Sequence, residues 1–109
     1  MENKMLNTNY DFRLADGTTV PLTLNFYFLY QLRSKNKSLY DRYNKTLNNQ
    51  AKKDYVYDEL DNMTILYTAY CCANTGNENM LSEEDFLMLC GSNRQAVGDA
   101  IKALLAPKN

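Results

Sequence analysis

The sequence predicts an α+β fold that is mostly α: an N-terminal β-hairpin followed by four to five helices packed around a central helix. Three observations carry this reading. From Tyr10 to Leu22, two short runs suited to strands flank an Asp16-Gly17 turn signal. Beyond them, apolar residues recur at steps of three and four, the helical period, in stretches separated by Asn, Gly, Ser and Lys breaks. One of these stretches, Ile65 to Ala73, is apolar on all sides, as befits a helix surrounded by the rest of a fold.

At 109 residues the chain fits one domain with a modest core. Met1 to Asn9 is mostly polar and lacks periodicity, so residues 1–9 read as a flexible leader and residues 10–107 as a single globular domain. Tyr10 to Leu14 and Thr19 to Leu22 form the hairpin strands. Pro21 has no N–H and must sit at an edge or an end. Such a hairpin is marginal in water by itself and needs a helix or a second subunit against it.

Thr23 or Asn25 caps the next element, a helix running through Phe26-Tyr27-Phe28-Leu29-Tyr30 and Leu32 to about Ser34. This aromatic block is the most informative stretch of the chain, because one small domain can hardly bury apolar groups on every side of a helix. Phe28 and Leu32 are expected to face the core, and Phe26, Tyr27 and Tyr30 to face a partner protein. A second helix is expected from about Ser38 to Leu47, with Leu39, Tyr43 and Leu47 as its stripe. The longest spans about Asp54 to Asn74, with Tyr57, Leu60, Thr64, Tyr67 and Cys71 as a core stripe and Gly76 suited to a left-handed conformation after its end. Ser82 opens a short helix whose Glu83-Glu84-Asp85 suits the helix dipole, and Gly91 stops it. Ser92 with Gln95 reads as a capping box for the last helix, which presents Val97, Ile101, Leu104 and Leu105 and stops at Pro107.

Catalysis has little to stand on. The chain has no His, which removes the usual general base near neutral pH and every Cys-His or Ser-His nucleophile. Glu83, Glu84 and Asp85 are explained by helix capping. Cys71, Cys72 and Cys90 form no zinc-like spacing and read as buried free thiols of a reducing compartment. Asn74 to Asp85 faintly imitates a calcium loop, with Asn74, Glu78, Ser82 and Asp85 at oxygen-donor positions. Gly76 at the third position, Asn79 at the sixth and Asp in place of the last Glu spoil it. No cofactor and no metal is expected, and no enzyme.

Net charge is −1, but the charges are segregated. Seven of the 12 basic residues lie between Arg33 and Lys53, whereas Asp54 to Asp85 holds eight acidic residues and no basic one. This dipole along the sequence suits head-to-tail self-association, so a homo-oligomer is possible. The basic segment 33–53, with its interleaved tyrosines, also supports an alternative function: a small regulator binding single-stranded nucleic acid through Arg42, Lys45, Lys52 and Lys53. A solvated helix face is the plainer reading of the same residues, and no recognised nucleic-acid module is present. No signal-peptide profile and no membrane-length apolar run is seen, which places the chain in cytosol.

The order of parts is itself informative: the Asp16-Gly17 hairpin, a helix starting Leu24-Asn25-Phe26, a basic helix, the helix with Leu66-Tyr67-Thr68-Ala69-Tyr70, then Ser82-Glu83-Glu84-Asp85-Phe86-Leu87 and Ala96 to Leu105. From about Asp11 to Pro107 this resembles the small tail assembly chaperones of long-tailed, siphovirus-type phages and prophages of Firmicutes-type bacteria. The resemblance implies a chaperone in the host bacterial cytoplasm that binds the tape-measure protein and recruits tail-tube subunits, in the short form of a product that often has a longer frameshifted version. A structural component retained in the phage particle is the related alternative.

Overall fold

Tyr10–Arg13 (β1) and Thr19–Leu22 (β2) pair antiparallel, with Tyr10 opposite Leu22 and Arg13 opposite Thr19. The structure is a computed structural model that describes residues 10–106, so the expected leader and the stop at Pro107 lie outside the described residues. The Leu14 N–H donates to the Thr18 carbonyl at 2.7 Å and the Gly17 N–H to the Leu14 carbonyl at 2.9 Å. That leaves Ala15-Asp16-Gly17 as the loop, and Gly17 takes φ +90°, which a side chain would strain. Alternation sorts the two faces: Phe12, Leu14 and Leu22 are buried, whereas Asp11, Arg13, Thr19 and Pro21 are exposed.

Five helices follow: α1 (Phe26–Lys35), α2 (Lys37–Gln50), α3 (Glu59–Ala73), α4 (Glu83–Cys90) and α5 (Arg94–Leu105). The fold is therefore α+β and mostly helical. Helix α3 is central, with every residue from Ile65 to Cys72 buried, and it packs against β2, α1, α2, α4 and α5. One core cluster takes side chains from the hairpin and from all five helices. Backbone bonds tie the hairpin to distant parts of the chain: Thr23 N–H donates to the Ala69 carbonyl at 3.1 Å, and Ala15 N–H to the Leu89 carbonyl at 2.7 Å.

Three helix starts differ from the sequence expectation. Asn36 caps α2 by accepting the Leu39 N–H, so this helix begins at Lys37 and continues to Gln50. Asp58 caps α3 by accepting the Leu60 N–H at 3.0 Å, which moves its start from Asp54 to Glu59. The Tyr55 hydroxyl secures that lead-in, donating to Asp61 at 2.8 Å and accepting the Asp58 N–H at 3.1 Å. Asn93, rather than Ser92, caps α5 and accepts the Ala96 N–H at 3.0 Å, so no capping box with Gln95 forms.

The first positions of the expected α3 stripe lie outside the core. Tyr57 precedes the helix and is 67% exposed, and Leu60 in its first turn is 64% exposed. Thr64 is half-buried, and Tyr67 and Cys71 are in the core. Leu105, expected on the apolar face of α5, is 41% exposed, whereas Leu104 is buried.

Candidate docking surface

Helix α1 is held in place from both ends of its sequence. Asn25 accepts the Tyr27 N–H at 2.9 Å and is itself steadied by its own N–H donating to the Thr23 hydroxyl at 3.2 Å. At the other end the Asn36 N–H donates to the Leu32 carbonyl and closes the helix. Its inner face is Leu29 and Leu32, both buried, with Phe28 half-buried against the core and edge-on to Tyr27 at 5.3 Å. The outer face is aromatic: Phe26 is 88% exposed, Tyr27 58% and Tyr30 60%. The three residues expected to meet a partner thus lie on the solvent side, and Leu32 lies in the core.

Beside that face α1 and α2 enclose a groove of about 350 Å³, its walls formed by Phe26, Leu29 and Tyr30 on one side and Tyr40, Tyr43 and Leu47 on the other. Arg33 and Asn44 complete the lining. The Arg33 guanidinium carbon lies 5.8 Å from the centroids of both the Tyr30 and Tyr40 rings, within cation–π range of each. Arg33 has no carboxylate partner among the described residues, where the ion pairs are Lys37–Asp41, Arg42–Glu83 and Arg94–Glu59.

A second apolar cleft, about 200 Å³, opens between α3, α4 and α5, with Leu60, Met63, Leu87 and Val97 in its walls. Its charged rim is already matched, because Arg94 grips both oxygens of Glu59. That contact holds the Glu59 carboxyl below its ordinary range. Periodicity placed Tyr57 and Leu60 in the core, but Tyr57 precedes the helix and Leu60 sits in its first turn, ahead of the buried run that begins at Ile65.

The basic residues considered for nucleic acid divide. Arg42 is engaged within the fold, donating to the two Glu83 oxygens at 3.0 and 2.7 Å and bridging α2 to α4. The same fork keeps the Glu83 carboxyl below its usual pKa and the Arg42 guanidinium above its own. Lys45, Lys52 and Lys53 are exposed, with Lys45 on α2 and the other two in the turn after it. No family model, curated protein or solved structure matches this chain.

The remaining candidate chemistry is absorbed by packing. Asn74 donates its side-chain amide to the Tyr70 carbonyl at 2.7 Å, and the Ser82 hydroxyl accepts the Asp85 N–H at 3.2 Å, so two of the would-be calcium donors cap helices. Among the described residues no three His, Cys, Asp or Glu side chains gather as a metal site requires. Cys71, Cys72 and Cys90 are free and buried, and burial pushes the Cys72 thiol up to about 12 and the Cys90 thiol to about 11. No helix among the described residues is long and apolar enough to cross a membrane.

Proposed function

We propose that this protein is a non-enzymatic tail assembly chaperone of the long-tailed phages and prophages that its order of parts resembles. It works in the host bacterial cytoplasm, holds the tape-measure protein through the outer face of α1, and recruits tail-tube subunits to it. The observation that carries the reading is the exposed Phe26-Tyr27-Tyr30 face on a helix whose opposite face is locked into the core. Contiguous exposed aromatic surface on a small protein marks a place where another protein docks. Such a role needs shape and apolar contact and no reacting group, which accords with a chain whose thiols are buried and which lacks His.

Co-expression with the tape-measure protein of the same genome is the test. The wild-type chain is expected to be captured by it, and a Phe26→Ser/Tyr30→Ser variant, folded by circular dichroism, is not. Failure of the folded wild type to be captured rejects the proposal.

A further inference from the structure

Resting on the reading that α1 is the docking face, we propose that the groove between α1 and α2 takes an amphipathic helix of the partner that carries a carboxylate beside its apolar stripe. The walls suit an apolar stripe, since Phe26, Leu29 and Leu47 have no polar side-chain atom, Tyr30, Tyr40 and Tyr43 contribute aromatic rings, and Asn44 is the one amide in the lining. The charge comes from one residue. Arg33 is the sole charged side chain in the lining, it stands by both tyrosine rings, and it lacks a carboxylate of its own among the described residues.

A guanidinium stacked near rings keeps its planar fork of N–H donors available for a carboxylate, and the rings restrict the rotamers it would otherwise lose on binding. One cation between apolar walls selects one carboxylate flanked by apolar anchors. A nucleic-acid strand asks for something different, a track of cations following its phosphates, and the groove lining supplies only Arg33.

The probe is a fluorescent helical peptide with leucines at i, i+3, i+4 and i+7 and glutamates flanking that stripe, compared with a twin in which lysines replace the glutamates. The full chain is expected to bind the glutamate peptide at least about tenfold more tightly than the twin by anisotropy. Arg33→Glu should invert the preference and Arg33→Gln should erase it, both variants retaining the wild-type circular dichroism because Arg33 is exposed. Equal binding of the twins overturns the inference. So does displacement of the glutamate peptide by equimolar single-stranded oligonucleotide, or a self-associated state in sedimentation that Arg33→Glu dissolves, since either would assign the groove to a different occupant. Capture of the tape-measure protein without discrimination between the twins rejects this inference alone; discrimination without capture rejects the chaperone reading alone.

Discussion

The hydroxyl oxygen of Tyr70 accepts the backbone N–H of Leu81 at 2.8 Å, and one turn earlier Tyr67 donates its own hydroxyl to the Leu81 carbonyl at 2.9 Å. Two side chains of α3 thereby satisfy both backbone groups of a residue in the connection to α4. Both rings pack on Phe86, Tyr70 stacked at 4.7 Å and Tyr67 tilted at 5.5 Å between centroids. Removing the Tyr70 hydroxyl leaves the Leu81 N–H without its partner while keeping the ring. Tyr70→Phe is therefore expected to cost about 1 kcal/mol. A urea midpoint that drops with an unchanged slope would bear this out, and an unchanged midpoint would refute it.

Leu29 and Phe26 stand one turn apart on α1 and should respond oppositely to truncation. Leu29→Ala removes a buried side chain and is expected to cost about 2–5 kcal/mol. Phe26→Ser alters a side chain in solvent and should stay within about 0.5 kcal/mol of wild type. Thermal melts of the two variants decide it; a large loss for Phe26→Ser would mean that this ring is held by the fold after all.

Alkaline pH should weaken the fold. Burial raises the pKa of Tyr43 to about 12, of Cys72 to about 12 and of Cys90 to about 11, whereas the ordinary values are 10.0 for tyrosine and 9.0 for the thiols. The unfolded chain releases these protons first, so the folded state binds more protons above pH 9 and its stability falls with each further step upward. Below pH 9 the contribution of these groups is fully present. Urea midpoints are expected to be level from pH 7 to 8.5 and to decline by pH 10.5. Consistently, Ellman's reagent at pH 8 should find the thiols only after denaturant is added.

Gly91 ends α4 at φ +66° and ψ −138°, a region open almost solely to glycine. A Cβ there would meet the Ala15 Cβ at 3.7 Å, an ordinary contact, so the penalty is one of backbone strain. Gly91→Ala is expected to lower stability by about 1–3 kcal/mol. An equally stable variant would show that the turn after α4 can take another shape at no cost.

Much of the fold was legible because local chemistry and burial agree. Asp16-Gly17 demanded a turn, Gly91 a stop, and the all-round apolar run from Ile65 to Ala73 a central helix, and each stands where its residues required. The misplaced helix starts have one cause in common. Asn36, Asp58 and Asn93 each compete with a nearby acceptable cap, Ser38, Asp54 or Ser92, and choosing among neighbours depends on where the chain must turn to pack, which is a tertiary matter. The candidate site was half legible. The spacing of the aromatic block separated Phe26, Tyr27 and Tyr30 from Leu32, but the placement of Arg33 near both Tyr30 and Tyr40 depends on how α1 meets α2. Tyr57 and Leu60 misled because helical period reveals which residues share a face and is silent on whether anything covers it.

The bond from Ala15 to the Leu89 carbonyl joins the turn of the hairpin to a residue that is made much later. The hairpin leaves the ribosome before Leu89, the residue that pins its turn, and β2 leans on Ala69 in between. Nascent chains halted before α4 should therefore expose Leu14 to protease, and protection should arrive once residues beyond Leu89 have emerged. The hairpin, made before the helices that cover it, is thus expected to gain its full shelter only once α4 has emerged.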